Sequence, residues 1–227
     1  MSKKMMLLAL AAVSAVMFVL PAAASANWGV TPTNAKFTGS GPAGKLFASG
    51  EPTIECAGPN TGSGAYENGT TGTLSLEFAG CQAEFLGITV PCSTIVAEPT
   101  KKIIITSGTF HNVTITSGKR GVLVTPANTV IKCQNIANTI TVSGSVIGEV
   151  TAPTAACPVA TKTITLNFAV TGSPSTQVHK TIDSDIKNDY DLSATTAGGS
   201  AVTAALQAEA TNTFTSPSEV TIDCNTP

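Results

Sequence analysis

Charge is scarce in this 227-residue chain. Asp, Glu, Lys and Arg make up 11 % of it, where about a quarter is usual. Beyond residue 26 the adjacent basic pairs are Lys101-Lys102 and Lys119-Arg120. Two isolated pairs do not build the basic surface that phosphate backbones or anionic lipids require, so nucleic acid is excluded as a partner. Histidine is scarcer still, with His111 and His179 alone. Both fall in strand-like stretches and read as strand residues rather than catalytic bases. H-E-x-x-H, G-x-S-x-G and phosphate-loop patterns are missing, and no cofactor or metal is expected. Aromatic residues are 5 % of the chain, and Trp28, Tyr66 and Tyr190 stand apart. A glycan platform would have to start from Trp28 and Tyr66, which leaves a glycan or a protein surface as the expected kind of partner.

A long apolar run occurs once. Lys3 and Lys4 precede an apolar stretch from Met5 to Leu20, followed by PAAASA with Ala24 and Ala26 at small-residue positions. This order predicts a signal peptide over residues 1–26, cut between Ala26 and Asn27. The rival is an uncleaved anchor. The run of about 16 residues is short of the roughly 20 that span a bilayer, and no later segment reads as a membrane span. Export would leave residues 27–227 as a single β-rich domain, secreted, extracellular or attached to the cell envelope. The mature chain would hold 10 basic and 14 acidic residues.

Six cysteines lie outside the signal: Cys56, Cys81, Cys92, Cys133, Cys157 and Cys224. An even number in an exported chain predicts three disulfides, among fifteen possible connectivities. Their spacing matches no C-x-x-C metal or redox motif. The short gap from Cys81 to Cys92 predicts a local hairpin closure.

Parity is the main structural signal. Ile140, Val142, Val146 and Val150 share one face of the stretch from 138 to 150, and Ile164, Leu166, Phe168 and Val170 do so in the next. Leu74, Leu76 and Phe78 repeat the pattern. A two-residue period means half-buried strands. Ile54 with Cys56, Ile131 with Cys133, and Val220 and Ile222 with Cys224 share parity, placing these cysteines on apolar faces. Turn signals at Gly39–Gly44, Pro59–Gly64, Asn68–Gly69, Ser117–Gly118, Pro126–Asn128, Gly172–Pro174 and Gly198–Ser200 separate the strands. The fold class expected is all-β: an antiparallel β-sandwich or barrel-like domain with disulfides. Ser200–Thr211 reads as strand, with helix as its rival. Residues 27–73 are poorer in apolar side chains, and the stretch around Tyr66, Asn68 and Gly69 reads as an exposed loop.

Three further patterns invite chemistry. Asp183, Asp185, Asn188, Asp189 and Asp191 could supply calcium oxygens, but the spacing lacks an EF-hand's central Gly and terminal Glu and reads first as a solvated turn. Glu55 and Glu77 show no local pairing suited to glycoside hydrolysis, though carboxylates can meet across a sheet. Repeated Thr-x-Thr pairs, such as Thr139/Thr141 and Thr163/Thr165, put two hydroxyls on one face. Their irregular spacing favours Thr as an ordinary polar sheet residue over an ice-binding array.

The segments TLSLEFAGC, VSGSVIGEV and the final VTIDC resemble those of exported Thr/Gly-rich β proteins of high-GC Gram-positive bacteria. The resemblance implies strands, and no functional residue comes with it. The reading is therefore a non-enzymatic secreted or surface β-domain with a binding or envelope role. The alternative is a secreted hydrolase with carboxylates from separate strands.

Overall fold

In a computed structural model, residues 28–94, 100–116, 118–136, 139–185 and 188–224 are described. The predicted signal peptide and its cleavage site lie outside these residues, as does most of a short strand expected at 94–96. Every regular element among the described residues is a β-strand.

Most of the strands come in pairs that continue one another across a short break. After β1 (Trp28–Thr31), β2 (Lys36–Gly41) runs on into β3 (Gly44–Ala48), and β4 (Ile54–Cys56) into β5 (Asn60–Tyr66). Next come β6 (Thr71–Ala79) with β7 (Cys81–Phe85), β8 (Ile88–Thr94) with β9 (Lys102–Thr114), β10 (Arg120–Pro126) with β11 (Thr129–Cys133), and β12 (Thr139–Gly144) with β13 (Val146–Ala152). After β14 (Val159–Thr161), β15 (Thr163–Phe168) is separated from β18 (Leu192–Thr196) by an excursion holding β16 (Val170–Thr171) and β17 (Thr176–Gln177). β19 (Ala201–Ser216) is unbroken, and β20 (Val220–Cys224) ends the described chain.

Pairing closes these pieces into a ring at two levels. The lower ring is β15-β13-β10-β9-β6-β5-β2-β19, closed by β15 against β19. The upper is β19-β18-β12-β11-β8-β7-β4-β3, closed by β3 against the first half of β19. Each broken pair lends one strand to each ring. The result is an eight-stave, up-and-down antiparallel barrel in two tiers, with β19 as the stave common to both. At a rise of about 3.3 Å per residue, β19 spans roughly 50 Å. Backbone hydrogen bonds continue across the breaks, as from Gly58 N to Ala79 O and from Ala127 N to Ser107 O. Closure removes the exposed edges that a sheet of this size would otherwise present. Of the two architectures the sequence allowed, this is the barrel.

Alternation decides which side faces in. Ile140 and Val142 of β12, and Ile164, Leu166 and Phe168 of β15, are buried, while their Thr and Ser neighbours look outward. The Thr-rich outer face pairs its hydroxyls across the staves. Ser143 and Ser193 are directly opposed with oxygens 2.9 Å apart, and Thr165 and Thr211 likewise at 3.3 Å. Thr is thus the polar half of ordinary cross-strand pairs. This inward apolar face is the reverse of a lipid-spanning barrel, whose apolar band faces out. No helix among the described residues is long and apolar enough to cross a membrane.

Two additions cover the barrel. At the lower end, β1, β20 and β14 form a three-stranded cap, whose Trp28, Val30, Val220 and Ile222 are buried in the same core as the lumen. The Trp28 indole donates to Val113 O and Gly121 O, at 3.0 and 3.2 Å. On the outer wall, Val113, Leu123 and Ile147 point away from the lumen. Ile182 and Tyr190, from the excursion before β18, cover them in a second small core.

Several sequence expectations change here. The turn expected at Gly39–Gly44 is reduced to Pro42 and Ala43 between β2 and β3, and that at Pro59–Gly64 falls almost wholly inside β5. The segment poor in apolar residues supplies two full staves, β2 with β3 and β4 with β5. Apart from Ser200, the stretch Ser200–Thr211 is strand, within β19, as its alternation indicated. Within it Ala204 lies opposite Ala48 and Ala210 opposite Leu166.

Candidate functional site

The lumen is where this fold gathers its unusual residues. Side chains from all eight strands of the lower ring enclose a cavity of about 110 Å³. A second cavity of about 70 Å³ lies where the tiers meet. Leu76, Phe78, Val124, Val146 and Leu206 border both, so the two spaces adjoin along the barrel axis.

One wall carries almost no side chains. The inward positions of β2 are Phe37, Gly39 and Gly41, and those of β5 are Asn60, Gly62, Gly64 and Tyr66. Neighbouring groups fill the space this leaves. A Cβ on Gly64 would come within 2.4 Å of the Phe37 ring, and one on Gly62 within 2.9 Å of Leu76 Cδ2. These glycines let large side chains from adjoining strands lie flat against backbone.

The floor is aromatic. Phe37, Tyr66, Phe110 and Phe214 meet edge to face, with the Tyr66 and Phe110 centroids 4.8 Å apart. The Tyr66 hydroxyl donates to Asn112 Oδ1 at 3.3 Å, and Asn112 Nδ2 donates to Gly69 O. Burial pushes the Tyr66 phenol well above its usual value, the Asn112 bond offsetting this only in part, so it stays a neutral donor. At the tier junction the buried Asn60 bridges three staves. Its Nδ2 donates to Pro42 O and its Oδ1 accepts from Ala79 N. Such a side chain replaces ladder bonds that the break removes.

The upper tier is filled by aliphatic side chains and two disulfides. Cys56 bonds Cys81 across β4 and β7, and Cys92 bonds Cys133 across β8 and β11, both at directly opposed positions. The third bond joins Cys157, ahead of β14, to Cys224 at the end of β20. All six cysteines are paired, as their even number implied. The expected Cys81–Cys92 closure is not the pairing formed. Each of those cysteines bonds outward to the stave beyond, so both strands of the β7–β8 hairpin are anchored to their neighbours. Cys224 also departs from expectation, since it is exposed although Val220 and Ile222 are buried. It is the last residue of its strand, where the cap's buried face runs out.

No known protein family, curated protein or solved structure matches this chain.

Apart from Tyr66 in the floor, the other residues singled out by sequence lie away from the lumen. Trp28 and Tyr66 are buried at 0 % and 7 % exposure, so neither starts a glycan platform. In the acidic run, Asp185 Oδ2 accepts from the Tyr190 hydroxyl at 3.0 Å and from Asn188 Nδ2, and Lys180 Nζ reaches Asp191 Oδ2 at 2.7 Å. Burial and the Asp185 carboxylate push the Tyr190 phenol up to about 12. The run fastens the outer core, and among the described residues no group of three His, Cys, Asp or Glu could hold a metal. Glu55 and Glu77 do not converge. Glu55 pairs with Lys45 and Glu77 with Lys102, each on the adjoining strand.

The outer wall carries the groups that respond to pH. Burial lowers the pKa of the half-buried His111. Burial alone would raise the Glu149 carboxyl, but hydrogen bonds and charge from Lys119 and His179 outweigh it and hold the pKa below its ordinary 4.5. Both shifts act in one direction. Unfolding lets His111 take up a proton once the pH falls below 6.5, and lets Glu149 do so below 4.5. Stability is therefore expected to be highest above pH 6.5 and to fall in two steps as acid is added: from 6.5 down to the lowered His111 value, then through the lowered Glu149 value. Thermal melts from pH 3 to 8 check this, and Glu149→Gln should remove the more acidic step.

The glycine wall and the inward asparagines were missed in the sequence, though one signal was present. In KFTGSG and NTGSGAY the glycines recur at every second residue, which is strand parity rather than turn chemistry.

Proposed function

We propose that the protein is an exported, non-catalytic binding barrel that holds a small apolar ligand in its lumen. The observation that carries this is the adjoining pair of lumenal cavities, walled by glycine backbone and floored by aromatic rings. Dry apolar cavities of about 150 Å³ admit benzene, and the two spaces together are of that order. Eight staves give a barrel interior able to hold one small ligand. Three disulfides call for an oxidising compartment, which supports export as the sequence reads it. The carboxylates at Glu55, Glu77 and Glu149 are each paired with a lysine at the barrel's outside, which favours binding over hydrolysis. The buried Trp28 and Tyr66 favour an internal apolar ligand over a surface glycan.

Benzene titrated into the isotope-labelled protein should move methyl resonances of Val124, Val146 and Leu206 saturably. Ala210→Leu adds volume at an inward position opposite Leu166 and should abolish those shifts without lowering the melting temperature greatly. Benzene shifts on the outer wall only, or undiminished binding in Ala210→Leu, would overturn the reading.

A further inference from the structure

The ligand's chemistry can be narrowed further, on the basis of the lumenal binding proposed above. Three asparagines point into the barrel or its floor. Asn60 and Asn112 each both donate and accept within the fold. Asn212 does not. It lies in the lower half of β19 between Ala210 and Phe214 on the inward parity, directly opposite Ile164 on one side and Gly39 on the other. It lines the larger cavity. Among the described residues no group hydrogen-bonds its side-chain amide. The local sequence makes room for it: a Cβ at Gly39 would fall 2.5 Å from Asn212 Oδ1.

Asn212 is half-buried and its amide opens onto the cavity rather than being sealed in; in an apolar lumen an amide left without a partner is still a cost to the fold. Leucine has the same number of side-chain heavy atoms with the same branching and would line the same wall without that cost. We propose that Asn212 is the polar anchor of the lumenal site. Its ligand is a small uncharged molecule, apolar except for one hydroxyl or carbonyl oxygen. An asparagine amide donates through Nδ2 and accepts through Oδ1, so it satisfies either group. A carboxylate ligand is disfavoured, because the lysine bordering the cavities, Lys45, is already paired with Glu55, and an unpaired buried charge is far costlier than a neutral oxygen.

The test is an NMR titration with toluene, benzyl alcohol and benzoate, which share a ring and differ in the polar group. In the wild-type protein, benzyl alcohol should bind about fivefold to tenfold tighter than toluene, the worth of one hydrogen bond. It should also move the Asn212 side-chain amide signals, which toluene leaves in place, and benzoate should not bind. In Asn212→Leu, toluene should still bind, and the preference for the alcohol should vanish. An unchanged alcohol-to-toluene ratio in Asn212→Leu, or Asn212 amide signals that the alcohol does not move, overturns the anchor while leaving lumenal binding intact. Failure of both toluene and benzyl alcohol to bind the wild-type protein overturns lumenal binding, and the anchor with it. If Asn212→Leu does not fold, the wild-type amide signals decide alone.

Discussion

Replacing Cys92 and Cys133 together by alanine should lower unfolding stability by about 4 kcal/mol, taking the chain-entropy cost of a loop of this length. The two residues are 41 apart in sequence, so the bond excludes many open conformations of the unfolded chain. In the native barrel both cysteines are nearly inaccessible, at 0 % and 3 %. Their loss therefore also leaves a gap in the upper tier, between β8 and β11. For a chain of this size, the melting temperature should drop by roughly 10 °C. Cys157–Cys224 provides the comparison. It spans 67 residues, so chain entropy alone predicts a slightly larger loss from breaking it. It lies at the rim of the cap with Cys224 exposed, so packing predicts a smaller one. Calorimetry on the two double variants separates these contributions. An unchanged melting temperature in the Cys92/Cys133 variant would show that the bond does not hold the upper tier.

Trp28→Ala should cost about 3–5 kcal/mol, the range for removing a fully buried large aromatic side chain. Trp28 is 0 % exposed, and it is buried in the core shared by the cap and the lumen. The variant loses that burial and the indole's bonds to Val113 O and Gly121 O. Trp28→Phe keeps most of the apolar burial and removes the donor. It should cost substantially less, with about 1 kcal/mol of the loss belonging to the hydrogen bond. Denaturant unfolding of both variants measures the split. A Trp28→Ala protein as stable as the wild type would mean that the cap does not seal the core.

These two predictions rest on features of different legibility. The cysteines were visible as a set, and their parity with Ile54 and Ile131 placed Cys56 and Cys133 inside the barrel correctly. Which cysteine meets which was not visible. Nearness in sequence favoured Cys81 with Cys92, but pairing depends on which staves lie side by side at that level, and that is a matter of register. Trp28 looked like a surface residue because it follows the predicted signal at once. Its burial requires β20 from the far end of the chain to pair beside it, Trp28 against Cys224, a contact that no local pattern announces.

The lumen divides in the same way. Alternation of Val, Ile and Leu with Thr and Ser determined by itself that the chain forms antiparallel strands, which side chains face inward, and that a polar outer surface surrounds an apolar core. The physical reason is local: a strand turns successive side chains to opposite faces, and apolar ones leave water. The even set of six cysteines likewise implied three disulfides. Closure was decided by tertiary structure alone. Whether staves of this kind form a sandwich or a ring depends on the last finding the first, here β19 pairing with β2 and β3. Only that closure turns the glycines at 39, 41, 62 and 64 from apparent turns into the bare wall of a cavity, and only that closure brings Asn212 to face it.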